Sequence, residues 1–96
     1  MVNICIKDHL ENASTYADGQ IIFCMIKSHL EKGEIVVLSF EKILAVPSAF
    51  INAAILQLVE HFTPSEIKSK LKISNSTRSI NDLIRNRLEF VEKNRN

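Results

Sequence analysis

The feature that most constrains the fold is an apolar block from Ile35 to Phe62, divided by a proline at position 47. Its first part, Ile35 to Phe40, is a nearly unbroken run of branched and aromatic residues with Ser39 as its one polar member. Such a run is typical of a strand covered on both faces in a parallel sheet. Pro47 lacks an N–H group and restricts the residue before it to extended backbone. The block therefore predicts a buried strand, a turn, and a helix that begins at Ser48.

The predicted helix from Ser48 to Phe62 is unusually apolar. After its first residue, its polar members are Asn52, Gln57, Glu60 and His61. A helix that is apolar around most of its circumference is either buried in its own domain or docked on another surface. A chain of 96 residues leaves little room to cover it completely. We therefore expect a protein partner, or a second copy in a homodimer, to cover part of this helix.

The residues before the block predict one strand, one loop and one helix. Val2, Ile4 and Ile6 alternate with more polar residues, which indicates a short first strand. Asp8 to Gly19 lacks periodicity and predicts a loop long enough to bind a partner, with an extended piece around Thr15 and Tyr16. Gln20 to Lys32 has helical periodicity, with Asp18 as the expected N-cap and Gly33 as a left-handed stop.

The residues after the block predict a helix, an edge strand and a final helix. Thr63 to Glu66 has the form of a capping box with proline at the first helical position, so a helix should cover Pro64 to about Lys70. Leu71 to Ser74 is the expected edge strand, and Ser76 or Thr77 should cap the last helix. Residues after Lys93 are expected to fray.

The order of elements predicts a single α/β domain over residues 1–96 with a small, mostly parallel sheet and flanking helices, in the order β-α-β-α-α-β-α. Whether the first strand is parallel or antiparallel stays open. No apolar run reaches the roughly 20 residues of a membrane-spanning helix. Nothing at the N-terminus resembles an export signal. We therefore expect Cys5 and Cys24 to be free, buried thiols in a reducing cytoplasm.

Charge and motif content favour neither nucleic acid nor catalysis. The net charge of +1 gives no strong field, and the arginines of the last helix alternate with acids. The three histidines lack metal-ligand spacing, and the two glycines form no phosphate-binding loop. No nucleophile motif surrounds Ser48. We therefore expect no catalytic residue, no metal and no cofactor, and Ser48 is either an ordinary N-cap worth about 1 kcal/mol or a regulated hydroxyl.

Residues 36–40, then 43–46, then 48–54, resemble the STAS-like domain family of unknown function, distant relatives of bacterial anti-sigma factor antagonists. The family pattern is a strand that ends in a Leu-Asp-Phe type triplet, a turn, and a Ser-Ser-Phe-Leu type helix start before a long apolar helix. The resemblance extends from about Gly19 to Val91 and includes the Leu71 to Ser74 strand.

The resemblance implies a cytoplasmic regulatory domain, bacterial or phage in origin, that lacks catalysis and binds a protein such as a kinase-like ATPase. Ser48 holds the position of the phosphorylated serine of the antagonists. Phosphate there would meet free backbone N–H groups at a helix start. This chain departs from the pattern at Pro47, which stands where the antagonists have an aspartate, and at Ser39, which replaces the acid of the triplet.

Two uses of the surface follow from these expectations. In the first, a partner contacts the loop before Ser48 and the helix start. The expected contact residues are Tyr16, Pro47, Ser48, Phe50 and Asn52. In the second, the chain is a self-associating structural or inhibitor protein, and the apolar second helix packs against its own copy.

Overall fold

The computed structural model of the chain describes residues 1–11 and 13–93. Its sheet has three strands, β1 (Val2–Cys5), β2 (Val36–Ser39) and β3 (Leu71–Ser74), with β2 in the centre. Both strand pairs are parallel, and Leu38 lies level with Ile4 on one side and Ile73 on the other. The α/β fold with a parallel sheet is confirmed, and the first strand is parallel to its neighbour.

Five α-helices and one 3₁₀ helix accompany these strands in the described part of the chain. The α-helices are α1 (Ile6–His9), α2 (Tyr16–Glu31), α3 (Ser48–Ala54), α4 (Pro64–Lys70) and α5 (Arg78–Lys93), and the 3₁₀ helix covers Leu56–Glu60. Every helix and strand expected from the sequence is present. The predicted fraying falls on residues 94–96, which lie outside the described residues.

The helices cover one face of the sheet. Because the strand order follows the chain order, two right-handed crossovers place their helices on the same side, and α5 packs against α3. Inward-facing residues follow the register: Val2 and Ile4, Val36 and Leu38, Leu71 and Ile73. The opposite face, here called the open face, is exposed or half-buried. It carries Asn3, Cys5, Val37, Ser39, Lys72 and Ser74.

The prediction that the central strand is covered on both faces is therefore wrong. Val36 and Leu38 are fully buried, whereas Val37 and Ser39 between and after them are half-buried. The nearly unbroken apolar run indicated burial of both faces, and the strand order shows that both crossovers lie on one of them.

The apolar second helix is shorter and more buried than expected. It ends at Ala54, turns at Ile55, and continues as the 3₁₀ helix rather than reaching Phe62 as one α-helix. Phe50, Ile51 and Ile55 have no exposed surface, because α2, α5 and the 3₁₀ helix surround α3. The domain therefore covers more of this helix than its size suggested. The homodimer stays a prediction, with less apolar surface to support it.

The first crossover also differs from the sequence-based expectation. Ile6 is not the last residue of β1 but the first of the one-turn helix α1, where its side chain is fully buried. The expected loop from Asp8 to Gly19 is reduced to residues 10–15, because α2 begins at Tyr16. Thr15, not Asp18, is the N-cap: its hydroxyl accepts from the Asp18 N–H at 3.0 Å, and Asp18 returns the bond as the third residue of a capping box.

Helices α2 and α3 make the most extensive contact between elements of the described chain. A side-chain carbon on Gly19 would lie 2.6 Å from Cβ of Ala53 and 2.7 Å from the Phe50 carbonyl oxygen. Glycine at position 19 therefore lets the two helix backbones touch. This contact holds the first turn of α2 beside α3.

Three local predictions agree with the structure. Gly33 is left-handed, with φ of 77°, and ends the turn after α2. Thr63 and Glu66 form the predicted capping box at α4, where proline is in the first turn. Of the two candidate caps for α5, Thr77 takes the role, since its hydroxyl accepts from the Ile80 N–H at 3.2 Å.

The cysteines and the helices bear on the expectation of a reducing cytoplasm. Both cysteines are free; Cys5 is half-buried, and Cys24 is exposed rather than buried as expected. Over residues 1–11 and 13–93, none of the helices has the length and apolar character to cross a membrane.

Candidate recognition site at the carboxyl end of the sheet

The segments that follow the three strands meet at one edge of the sheet. Because the strands are parallel, residues 6–15, 40–47 and 75–77 all leave from the carboxyl end, and α2 and α3 begin there. Binding residues are often found on loops that a rigid scaffold holds in place. We call this edge the loop end.

The connection from β2 to α3, residues 40–47, is fixed at several points. Phe40 donates its N–H to the Ser74 carbonyl at 3.0 Å, and Ile43 donates to the Phe40 carbonyl at 2.9 Å to close a turn. Within that turn Lys42 is left-handed, with φ of 67°. The side chains of Phe40 and Ile43 are buried. The turn is thus anchored to the core on both sides of Lys42.

Side chains from the β3–α5 connection hold the same loop. Thr77 donates its hydroxyl to the Leu44 carbonyl at 3.0 Å while it caps α5, so one side chain links the loop to a helix start. Asn75, left-handed with φ of 53°, donates from Nδ2 to Ser39 Oγ at 3.0 Å. Ser39 Oγ also accepts from the Glu41 N–H at 3.3 Å. The serine that replaces the acid of the family triplet thus acts as a hydrogen-bond acceptor for both connections.

The fixed backbone presents an apolar surface to solvent. Leu44 is 79% exposed, and Ala45, Pro47 and Ala49, which follow it in the sequence, are exposed as well. Isolated exposed apolar residues are common on proteins. Here, however, the side chain lies on a loop whose backbone is tied to a helix cap, so little conformational entropy would be lost when another surface covers it.

A shallow depression of about 340 Å³ lies beside Leu44. Its lining comes from both crossovers: Lys7, Ala13, Ser14, Lys42, Ile43, Leu44 and Ala45. Lys7 Nζ donates to the Glu11 carbonyl oxygen at 2.7 Å. The loop end therefore combines apolar surface with two ammonium groups.

The five residues expected to contact a partner are not equivalent in the structure. Tyr16, 48% exposed, begins α2, and Pro47 and Ser48 are exposed at the start of α3. These three lie at the loop end. Asn52 is half-buried, and its side-chain oxygen is enclosed without a hydrogen-bond partner among the described residues. Phe50 has no exposed surface, so it belongs to the core and is not available for direct contact.

The expectation that Ser48 is an N-cap is also corrected. Pro47 is the residue before the first helical position of α3, and it makes no side-chain capping bond. Ser48 is therefore the first helical residue. Proline at this boundary already supplies the required extended backbone, with φ of −75° and ψ of 159°, so the helix begins without a capping hydroxyl.

Two members of the loop end were missed by sequence reasoning. Leu44 lies within the apolar block, and Lys7 directly follows Ile6, the last apolar residue of the expected first strand. One sequence feature could have indicated that Leu44 is exposed. It lies between a two-residue turn and a proline, where no regular element can bury every apolar side chain. Only the fold shows that Lys7, after β1, comes beside Lys42, after β2.

The start of α2 carries the one shifted acid at the loop end among the described residues. The Ser14 backbone N–H, and next the Thr15 side chain, lower the pKa of Asp18 below its ordinary value of 3.8, although some burial opposes this. The carboxylate accepts from the N–H groups of Ser14 at 3.3 Å and Thr15 at 3.2 Å. The carboxylate of Asp18 thus holds the backbone of Ser14 and Thr15 in place directly before Tyr16.

The side chains at the loop end suit non-covalent contact with another molecule. Within the described residues, no group of three or more His, Cys, Asp or Glu side chains is placed to hold a metal ion. The exposed groups at the loop end are aliphatic side chains, ammonium groups and hydroxyls. These groups can make apolar contacts, hydrogen bonds and ion pairs with another molecule.

The fold and this edge define a small parallel α/β domain whose carboxyl-end loops present a mixed apolar and basic surface. The family model described as "STAS-like domain of unknown function (DUF4325)" matches residues 18–81. The match covers about two thirds of the chain, so the chain belongs to this family, as the sequence resemblance predicted. Searches of the curated proteins and of the solved structures found no significant match.

Proposed function

We propose that this chain is a non-catalytic regulatory module that binds a partner protein through its loop end. The observation that carries the proposal is the exposed Leu44 side chain on a backbone held by Thr77. Membership of a STAS-like family supports a regulatory protein-binding role. An apolar side chain on a fixed loop can be buried by a partner at a low cost in backbone ordering.

The partner class follows from the resemblance to anti-sigma factor antagonists. We propose an ATP-binding regulator of the kinase-like ATPase type, with binding in the cytoplasm. The exposed residues Tyr16, Pro47 and Ser48 lie at the same end of the sheet as Leu44 and would extend the contact. Phe50 supports this surface from the core.

The test is capture of a partner from lysate of the native host with three tagged forms of the chain. Leu44→Ser removes the proposed central contact, and Ile21→Ser is the matched control, since Ile21 is 49% exposed on α2. Full burial of a leucine side chain is worth about 1.5–3 kcal/mol, so its loss should cost roughly 2 kcal/mol, or about thirtyfold in affinity. We expect the wild type and the control to recover one protein at stoichiometric level. Leu44→Ser should not recover it. The purified partner should bind the purified wild-type chain again.

Two results would contradict the proposal. One is the absence of any stoichiometric partner from the wild-type capture. The other is equal recovery of that partner by Leu44→Ser, which would place the interface away from the loop end. Circular dichroism of both variants should match the wild type, because neither side chain is in the core.

We propose further that Ser48 can regulate this interaction. Its exposed position beside the loop means that a phosphoryl group, with about two negative charges, would change the charge of the contact surface. Phosphopeptide mapping of the chain from its native host should detect the modified serine. Recovery of only unmodified Ser48 under all growth conditions would exclude the switch and leave the binding role intact.

A further inference from the structure

The depression beside Leu44 joins side chains from two parts of the chain that are distant in sequence. Lys7 follows β1 and Lys42 follows β2, and both line the same space of about 340 Å³. This size is at the low end of the range for ligand pockets, about 300–1,000 Å³. The depression is shallow, however, and would not enclose most of a small molecule, as a metabolite site does.

Neither ammonium group is neutralised by a carboxylate in the described part of the chain. Lys7 Nζ has the Glu11 backbone carbonyl as its hydrogen-bond partner, and Lys42 has no ion pair with any described residue. The nearby acids Asp8, Glu11 and Glu41 are exposed and make no ion pair with either lysine. The two positive charges are therefore free to pair with an incoming anion.

The rest of the lining is largely apolar. Leu44 and Ala45 are exposed, whereas Ala13 and Ile43, which also line the depression, are buried. An inorganic anion would contact only the lysines and the Ser14 hydroxyl. A peptide with a carboxylate next to an aliphatic side chain would contact both the polar and the apolar part of the lining. Charge complementarity and shape thus favour the same occupant.

We propose that this depression binds a partner segment in which an Asp or Glu side chain is adjacent to a branched aliphatic side chain. The carboxylate pairs with Lys7 and Lys42, and the aliphatic side chain packs on Leu44. The inference rests on the proposed function, because it names the chemistry of the partner at that same site. It adds that recognition depends on ionic strength, since exposed ion pairs are screened by salt.

The probe is the blocked tetrapeptide Ac-Glu-Leu-Glu-Leu-NH2, titrated at low salt into the isotopically labelled full chain in a phosphate-free buffer. Amide shifts in the NMR spectrum report the site. We expect saturable shifts at residues 13–14 and 42–45. The neutral peptide Ac-Gln-Leu-Gln-Leu-NH2 should bind about fivefold or more weakly, since two exposed ion pairs are lost.

A pair of double variants tests the lysines at equal net charge. Lys7→Gln with Lys42→Gln should weaken the acidic peptide about fivefold or more, and Lys32→Gln with Lys72→Gln should leave it unchanged. Lys32 follows α2 at the opposite end of the sheet, and Lys72 lies on the open face. Equal binding by both double variants, or no saturable shift at the named amides, would overturn the inference. Equal shifts with inorganic phosphate would instead assign the site to free anions.

These results separate the inference from the function on which it rests. If the partner captured from the host is lost with Leu44→Ser but retained with Lys7→Gln and Lys42→Gln, the loop end binds a partner that does not use the lysines. In that case the proposed function stands and this inference fails. If the wild type captures no partner, the proposed function fails, whatever the peptides show.

Discussion

Gly19 fixes the distance between α2 and α3, because its hydrogen atom faces the backbone of the other helix. The site left for a side-chain carbon is 2.7 Å from the Phe50 carbonyl oxygen and 3.2 Å from the Ala54 nitrogen. Backbone atoms in the middle of a buried helix cannot move aside without disturbing the core. One residue without a side chain therefore sets the position of Tyr16 relative to the start of α3.

We predict that Gly19→Ala destabilises the protein. Alanine is favoured over glycine in a helix by about 1 kcal/mol, but overpacking a close contact costs about 1–3 kcal/mol or more, and here the backbone contact dominates. A net loss of about 1 kcal/mol would lower the melting temperature by about 4–8 °C in a domain of this size. Calorimetry measures it, with the exposed Ser28→Ala of the same helix as control. A variant as stable as the wild type would show that the helices can separate.

Single residues differed in how far the sequence could predict their roles. Gly33 and Thr63 were predicted correctly, because a left-handed helix stop and a capping box are decided by a few neighbours in the chain. Phe50 was predicted to contact a partner, although it belongs to the core. No neighbour in the chain indicates this burial, which results from the packing of α2 and α5 around α3.

The stability of the start of α2 depends on an ionised side chain. Asp18 is ionised in a capping box, and the N–H of Ser14, with the Thr15 side chain, holds the pKa of Asp18 below 3.8. A group whose pKa is lowered on folding adds stability above its unfolded pKa, and that stability is lost as the pH falls through the lowered value. The first turn of α2 should therefore weaken in acid.

We predict that Asp18→Asn lowers stability at neutral pH and that its deficit shrinks in acid. The asparagine oxygen can still accept a hydrogen bond, but it carries no charge to titrate. The urea midpoints of wild type and variant, followed from about pH 7 to about pH 2.5, should converge below about pH 4. A constant gap over the whole range would mean that the Asp18 charge does not stabilise the helix start.

The break in the second helix shows where element prediction reached its limit. The apolar pattern from Ser48 to Phe62 is compatible with one continuous helix, and no proline or glycine interrupts it. The change to a 3₁₀ helix after Ile55 places Leu58 in the core, where it has no exposed surface. That choice depends on contacts with α2 and α4, which the local sequence does not contain.

At the scale of the whole molecule, the sheet has one covered and one open face. The run Ile35 to Phe40 does not show which face is open, because Val37 on the open face is as apolar as Val36 on the covered face. The neighbouring strands hold the missing information. Asn3 and Lys72 lie level with Val37, so the row across the open face is polar at both edges, but the register that aligns them is a property of the fold.

We predict unequal effects for two isosteric substitutions at adjacent positions. Val36→Thr places a hydroxyl in the core, where Val36 has no exposed surface, and should cost about 1–3 kcal/mol. Val37→Thr places it on the open face and should cost less than about 0.5 kcal/mol. Urea unfolding of the two variants gives the comparison. Similar losses would indicate that both faces are covered, as the sequence alone suggested.

We propose that the molecule contacts its partner through the loop end and not through the apolar second helix that dominates its sequence. Hydrogen–deuterium exchange of the chain, alone and with the partner captured from its host, tests this most directly. We expect slower exchange on binding in residues 13–16 and 41–49, with the 3₁₀ helix and the open face unchanged. Protection confined to residues 56–62 or to β1 and β3 would contradict it.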